Sequence, residues 1–320
     1  MLPRHPLLAQ AFALSKAGRN PEAVLIINQL AAQNEPEALF VLAEMKWRGG
    51  MVPQDPVQAR ALYDRAAALG HPQAGLILTN LLANGVAGAR DWPRALARLR
   101  IEANQLPLRR SQLTLIESMA IDAAGNPSTA PEPDVLSTAP SVLLFQRLFS
   151  TGECDYLRQL AEPGYTPSTV YDAARRLQRD PIRTSDGSTI HWQIEDPLVH
   201  ALNRRLAAAS GTDAAQGEAI QMLRYRPGQQ YRNHYDFVQS SENQRVQTAL
   251  VYLNHDYEGG ETCFVKTGLK VKGRKGDVLV FRSALPDRTL DPLSEHAGLP
   301  VIRGTKVIAS RWIREKRWAP

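Results

Sequence analysis

The residue pattern with the most chemical content is His234-Tyr235-Asp236, set in the run RPGQQYRNHYDF. On an extended strand residues i and i+2 project to the same face, so an imidazole and a carboxylate arrive side by side. Mononuclear non-haem iron oxygenases use two imidazoles and one carboxylate on one face of the metal, leaving the other face open to cosubstrate and oxygen. The pair alone decides little. With 32 acidic residues among 320, each of the seven histidines has about a one-in-ten chance of an acid two places on. One such pair somewhere in the chain is therefore close to an even bet.

The elements around the pair narrow the reading. From residue 219 onward short β-type runs dominate, namely AIQMLRYR, RVQTALVYL, DVLVF and TKVIASRWI, punctuated by Pro227-Gly228, Gly259-Gly260, Gly273 and Gly276. Many short strands with turn signals predict a sandwich or barrel, and a double-stranded β-helix (jelly roll) with flanking helices suits the pattern. One helix is expected from the capping box Ser150–Glu153 to about Ala161, and another from Pro197 through PLVHALNRRLAAA. His296 lies in SEHAGLPV, sixty positions beyond Asp236, and Lys306 follows ten later in GTKVIASRWIRE.

Taken in order, Y-x-x-G-x-x-Y-x-x-H-x-D, R-x-x-T, Y-L-N, G-G-E-T, K-G-D, H-A-G-x-P-V and G-x-K-x-x-x-x-x-W-I resemble the catalytic domain of the prolyl 4-hydroxylases, which are Fe(II)- and 2-oxoglutarate-dependent dioxygenases. The likeness spans about residues 143–315 and includes Arg183-Thr184-Ser185. It implies that His234, Asp236 and His296 are the iron ligands and catalytic residues. Lys306 matches the lysine that pairs with the distal carboxylate of 2-oxoglutarate, with Tyr225 and Thr262 hydrogen-bonding the same group. Tyr231, Arg245, Trp312 and Arg183 match positions of the substrate cleft. Arg314 falls where some relatives carry a histidine, so the choice of substrate is left open. Without the family match, Tyr225 and Trp312 read as core aromatics and Arg245 as a surface charge. His191, His200 and His255 have no partner at ligand spacing.

The resemblance further implies oxidative decarboxylation of 2-oxoglutarate with O2, giving succinate and carbon dioxide, coupled to hydroxylation of a proline in a protein or peptide. Ascorbate is the expected reductant. Two alternatives stay open: the same chemistry on a free amino acid or other small molecule, and a non-catalytic, repeat-based interaction protein. Nucleic-acid demethylases of this superfamily typically hold the cosubstrate with arginine, so Lys306 points away from a nucleic-acid substrate.

The first third of the chain repeats at an offset of 36 residues. Pro36 matches Pro72, Ala38 matches Ala74, Leu42 matches Leu78, Gly49 matches Gly85, Asp55 matches Asp91 and Ala59 matches Ala95. Each unit reads as a helix, a Gly-containing turn and an alanine-rich second helix. The spacing resembles the tetratricopeptide-related repeats of the Sel-one type, well over residues 36–105 and loosely over 5–35. Repeats of this kind stack into an α-solenoid that binds proteins, so recruitment of the substrate is expected of them. A further helix, roughly 108–123, caps the array. The domain reading is thus 1–123 helical repeats, 124–141 a Pro-rich linker (GNPSTAPEPDVLSTAP), and 142–320 the dioxygenase.

Composition fits such a protein. The chain has 43% hydrophobic and 22% charged residues and a net charge of +6 without a basic tail, which speaks for a solvated rim rather than a nucleic-acid patch. Two cysteines, Cys154 and Cys263, supply neither a disulfide framework nor a thiolate metal site, and without a recognisable Cys/His arrangement they read as small buried residues rather than nucleophiles. No run is long enough for a membrane span. The start, MLPRHPLLAQAFALSKAG, faintly imitates a secretory signal, but Gln10 interrupts its apolar stretch and a repeat helix fits better. The expected compartment is the cytoplasm.

Overall fold

The structure is a computed structural model and describes residues 5–171, 177–239 and 241–318; the first four residues of the signal-like start lie outside the described residues. The chain forms two compact units, one of residues 1–110 together with 192–197, the other of residues 111–191 and 198–319.

The first unit is built of helical hairpins. Its helices are α1 (Pro6–Lys16), α2 (Asn20–Ala32), α3 (Pro36–Arg48), α4 (Pro56–Ala68), α5 (Pro72–Asn84) and α6 (Trp92–Ala103), and α7 (Pro107–Glu117) begins there. The repeated residues have local jobs. Pro36 and Pro72 open α3 and α5 at the first turn, where a missing N–H costs nothing. Gly49 and Gly85 follow the last turns of those helices at φ of +76° and +71°, the region that favours glycine. Asp55 and Asp91 cap the next helices, accepting from Gln58 N at 2.9 Å and Arg94 N at 3.0 Å. Ala38, Ala59, Ala74 and Ala95 are fully buried, so neighbouring helices approach closely. The segment Trp192–Pro197 belongs to this unit, and Trp192 packs on its apolar core.

Two expectations need correcting. α7 ends at Glu117 and not near 123: Ser118 already lies in a turn, and Ile121 bridges back to Pro127 instead of continuing the helix. The stretch read as a linker contains a strand, since its β-branched part, DVLST, pairs with the following residues once past the prolines.

Among the described residues the second unit carries sixteen strands, beginning with β1 (Asp134–Thr138), β2 (Ser141–Phe145), β3 (Thr166–Pro167), β4 (Thr169–Tyr171), β5 (Leu177–Arg179) and β6 (Asp186–Ile190). β7 (Ile220–Tyr225), β8 (Tyr231–His234), β9 (Arg245–Tyr252), β10 (Tyr257–Gly259) and β11 (Thr262–Phe264) follow. β12 (Lys270–Val271), β13 (Val278–Arg282), β14 (His296–Gly298), β15 (Val301–Gly304) and β16 (Lys306–Arg314) complete the set. Two helices, α8 (Thr151–Ala161) and α9 (Pro197–Ser210), lie where the sequence put them, and both halves of the Ser150–Glu153 capping box are formed.

An eight-stranded antiparallel sheet runs in the order β1-β2-β13-β9-β16-β7-β6-β3, and a four-stranded sheet in the order β12-β11-β14-β8. Leu223, Leu250, Leu279 and Ile308 of the larger sheet share one apolar cluster with Phe264 and Val271 of the smaller. The two sheets therefore face each other, as in a jelly roll. No helix among the described residues is long and apolar enough to cross a membrane.

Candidate active site

The site lies between the two sheets. β8 and β14 pair antiparallel with His296 opposite His234, the register shifting between His296 and Gly298, and Asp236 sits in a bend just past the end of β8. The sequence predicted a shared face for His234 and Asp236. They do share it, although the chain has already left the strand at Asp236. His234 Nε2 stands 3.7 Å from Asp236 Oδ1, and His296 Nε2 stands 3.7 Å from Asp236 Oδ2. Ligand atoms of all three lie within 4.8 Å of one another, the only such group of His, Cys, Asp or Glu among the described residues.

The surroundings suit a metal. His234 Nδ1 lies 2.7 Å from the Arg232 carbonyl and His296 Nδ1 lies 3.0 Å from that of Ser294. A carbonyl only accepts, so each Nδ1 carries the proton and each Nε2 is left with its lone pair toward Asp236. Burial, with His296 close by, holds the His234 imidazole well below its ordinary value, in the neutral form that binds metals. Burial would push the Asp236 carboxyl up, but a positive charge on either neighbouring histidine and the Thr248 hydroxyl pull it down, and the net lies below the ordinary value. Thr248 Oγ1 donates to Asp236 Oδ2 at 2.6 Å. The buried Trp312 indole N–H also favours the charged carboxylate, without forming a well-shaped hydrogen bond.

The triad opens into a cavity of about 400 Å³, counting its mouth. β16 lines it with Lys306, Ile308, Ser310 and Trp312, every second residue, as a strand must. Lys306 faces Tyr225 on β7 and is 3% exposed. Its ammonium donates to the Gly260 carbonyl at 2.7 Å and lies 5.5 Å above the Tyr225 ring. No carboxylate among the described residues lies within ion-pair distance of it, and burial lowers its pKa to about 8. Gly260 sits at φ +70°, and a Cβ there would press within 3.2 Å of the lysine stem. Thr262, 2% exposed, lines the same cavity and lies 3.3 Å from the Tyr252 hydroxyl. Burial raises the Tyr225 phenol, so it stays a neutral donor.

Of the four residues expected in the substrate cleft, two line the cavity. Tyr231 stacks on His234 with ring centroids 3.5 Å apart, and Trp312 forms part of the wall. Arg245 does not reach the cavity. It spreads over Trp312 at 4.0 Å and grips Glu218 through two bonds, 2.6 and 2.9 Å. Arg314 pairs with the same Glu218 at 2.6 Å. Arg183 lies behind Tyr231, 5.6 Å from its ring, and donates to Gln221 at 2.9 Å. His191 and His255 are exposed, Cys154 is buried and Cys263 half-buried, none of them in the site. Thr248 and Glu218 escaped the reading from sequence. Thr248 ends the R-x-x-T motif and was visible there, whereas nothing local marks Glu218.

The chain is similar to several known proteins. Residues 220–314 match the 2OG-Fe(II) oxygenase superfamily. Prolyl 4-hydroxylase 1 of Arabidopsis thaliana is 36% identical over 206 residues, covering 58% of this chain and 72% of that protein. Probable prolyl 4-hydroxylase 3 of the same plant is 37% identical over 205 residues, covering 56% and 71%. Among solved structures, the viral collagen prolyl hydroxylase of Paramecium Bursaria Chlorella virus-1 in its 2OG complex is 30% identical. It covers 54% of this chain and 95% of that one, with a TM-score of 0.45.

Proposed function

Since the chain belongs to the prolyl 4-hydroxylase family of 2OG-Fe(II) oxygenases, we propose that it hydroxylates a proline in a protein or peptide, with Fe(II) held by His234, Asp236 and His296. The observation that carries the reading is one cavity lined both by three converging ligand atoms and by a buried ammonium with no carboxylate partner among the described residues. A desolvated lysine is costly unless an anion joins it, and a dicarboxylate anchored by one end would supply that anion.

When bound, iron and 2-oxoglutarate supply the oxidation: O2 is reduced, 2-oxoglutarate becomes succinate and carbon dioxide, and a C–H bond becomes C–OH. The protein's own residues do the rest. The Arg232 and Ser294 carbonyls fix both imidazoles in the ligating tautomer. Thr248 keeps the carboxylate charged and turned toward the imidazoles. Lys306, with Tyr225 and Thr262, forms the hydrogen-bonding seat for the distal carboxylate of 2-oxoglutarate. Leu223, Leu250 and Ile308 keep that part of the cavity dry, which strengthens the ion pair. Tyr231 and Trp312 wall the side where the substrate proline would lie, and Arg245 and Arg183 brace these two rings from behind.

Ascorbate as reductant, a cytoplasmic site of action and substrate recruitment by the helical repeats belong to the same reading. A tethered binding module raises local substrate concentration without altering the chemistry. The test is succinate release measured with and without a proline-rich peptide, for the wild type and for Asp236→Ala. Peptide-stimulated release that the substitution abolishes supports the proposal. Release indifferent to the peptide would point to a small-molecule substrate.

A further inference from the structure

The helical unit grips a turn of its own chain, at Trp192 and Gln193. Two asparagines one turn apart on α5 reach the backbone of the segment that precedes α9: Asn84 Nδ2 donates to the Trp192 carbonyl at 2.8 Å, and Asn80 Nδ2 donates to the Gln193 carbonyl at 2.7 Å. Consecutive carbonyls are thus read by residues i and i+4 of one helix, which share a face. The side chains are read as well. The Gln193 amide donates to the Tyr63 hydroxyl at 2.7 Å and to Glu44 Oε1 at 3.0 Å, while Tyr63 itself donates to Glu44 at 2.5 Å. Trp192 packs against the apolar cluster of the hairpins.

The reading groups follow the repeat. Glu44 and Asn80 are 36 residues apart, the repeat offset, so they occupy equivalent positions on α3 and α5 and point to the same face of the array. Asn80 is 6% exposed, and its carbonyl oxygen accepts from Arg109 NH1 at 2.9 Å, which fixes the amide with its N–H toward the segment. Such a set has the features of a peptide site: backbone carbonyls met by amides, one side chain met by polar groups, another in an apolar slot.

We infer that the helical unit carries a peptide-binding groove that reads a Trp-Gln turn through Asn80, Asn84, Tyr63 and Glu44, and that its resident ligand is the chain's own segment at Trp192 and Gln193. A tethered ligand competes at an effective concentration on the order of millimolar, so the groove is closed to weak partners in trans. A substrate recruited by the repeats must therefore use another face or displace this segment.

The test uses the full chain and a labelled peptide with the sequence of residues 190–197. Trp192→Ala loosens the resident segment without touching the reading groups, so the peptide should bind this variant at least about tenfold more tightly than it binds the wild type. Asn80→Ala and Asn84→Ala added to Trp192→Ala should remove that binding. Gln193→Ala, a smaller lesion, should shift affinity in the same direction and serves if Trp192→Ala loses its helical circular dichroism. Equal weak binding to the wild type and both loosened variants, or binding that survives loss of the two asparagines, would overturn the inference. Because the readout is binding and not turnover, either outcome leaves the oxygenase reading where it stands.

Discussion

Thr248 and Asp236 are joined by a 2.6 Å hydrogen bond in which the hydroxyl donates to Oδ2, both residues being buried. The other oxygen, Oδ1, is the one nearer His234. The bond thus sets the rotation of the carboxylate that both imidazoles face. Thr248→Val keeps the shape and removes the donor, and losing a hydrogen bond that orients a metal ligand costs about 10–100-fold in metal affinity. Iron titration followed by calorimetry should show that loss in Thr248→Val and near wild-type affinity in Thr248→Ser. Unchanged affinity in the valine variant would mean that the hydroxyl does not orient the carboxylate.

Lys306 links stability, pH and cosubstrate. Its folded pKa of about 8 lies below its ordinary 10.5, so between those values the unfolded chain binds more protons and stability rises with pH. Below about pH 8 the burial cost is present in full, roughly 3 kcal/mol. Lys306→Met removes that cost and also the bond to Gly260. Thermal unfolding without 2-oxoglutarate should therefore show a net gain of roughly 1–2 kcal/mol at pH 7. The same variant should bind no 2-oxoglutarate. In the wild type, affinity for 2-oxoglutarate should be flat below pH 8 and fall above it. A lysine variant that still binds 2-oxoglutarate would remove Lys306 from the seat.

The reach of the sequence is clearest around these residues. His234, Asp236 and His296 could be found because motif order places them, and the alternation of β16 brings Lys306 and Trp312 to one face. What stayed hidden depends on distant chain. Glu218 lies just before β7, yet its meaning comes from Arg245 on β9 and Arg314 on β16, which a one-dimensional pattern cannot join. The strand β1 was masked by the prolines before it, and its pairing with β2 decides its state. Nothing in the sequence marks the segment at Trp192, and only the fold shows that Asn80 and Asn84, more than a hundred residues earlier, hold it.

Arg245 separates substrate binding from chemistry. Removing its guanidinium uncovers one face of Trp312 and leaves Glu218 to Arg314 alone. Arg245→Ala should raise KM for a peptide by roughly tenfold, the scale of a 1–2 kcal/mol loss, and leave 2-oxoglutarate affinity unchanged. A drop in kcat with unaltered KM would place Arg245 in the chemical step.

In the repeats, the capping aspartates offer a local test. Asp91→Ala deprives the first turn of α6 of its acceptor and should cost about 1 kcal/mol in chemical denaturation, with Asp91→Asn largely restoring it. Iron binding should be unaffected. A stability equal to wild type would show that the aspartate recurs for another reason.

The central claim is that the His234-Asp236-His296 cavity oxidises proline at the expense of 2-oxoglutarate. Its most direct test is mass spectrometry of a proline-rich peptide after incubation with the full chain, Fe(II), 2-oxoglutarate and O2, with succinate measured in the same reaction. The account predicts one added oxygen atom located on proline, one succinate for each oxygen inserted, and neither product with Asp236→Ala. Oxygen on a residue other than proline, or equal hydroxylation by Asp236→Ala, would contradict it.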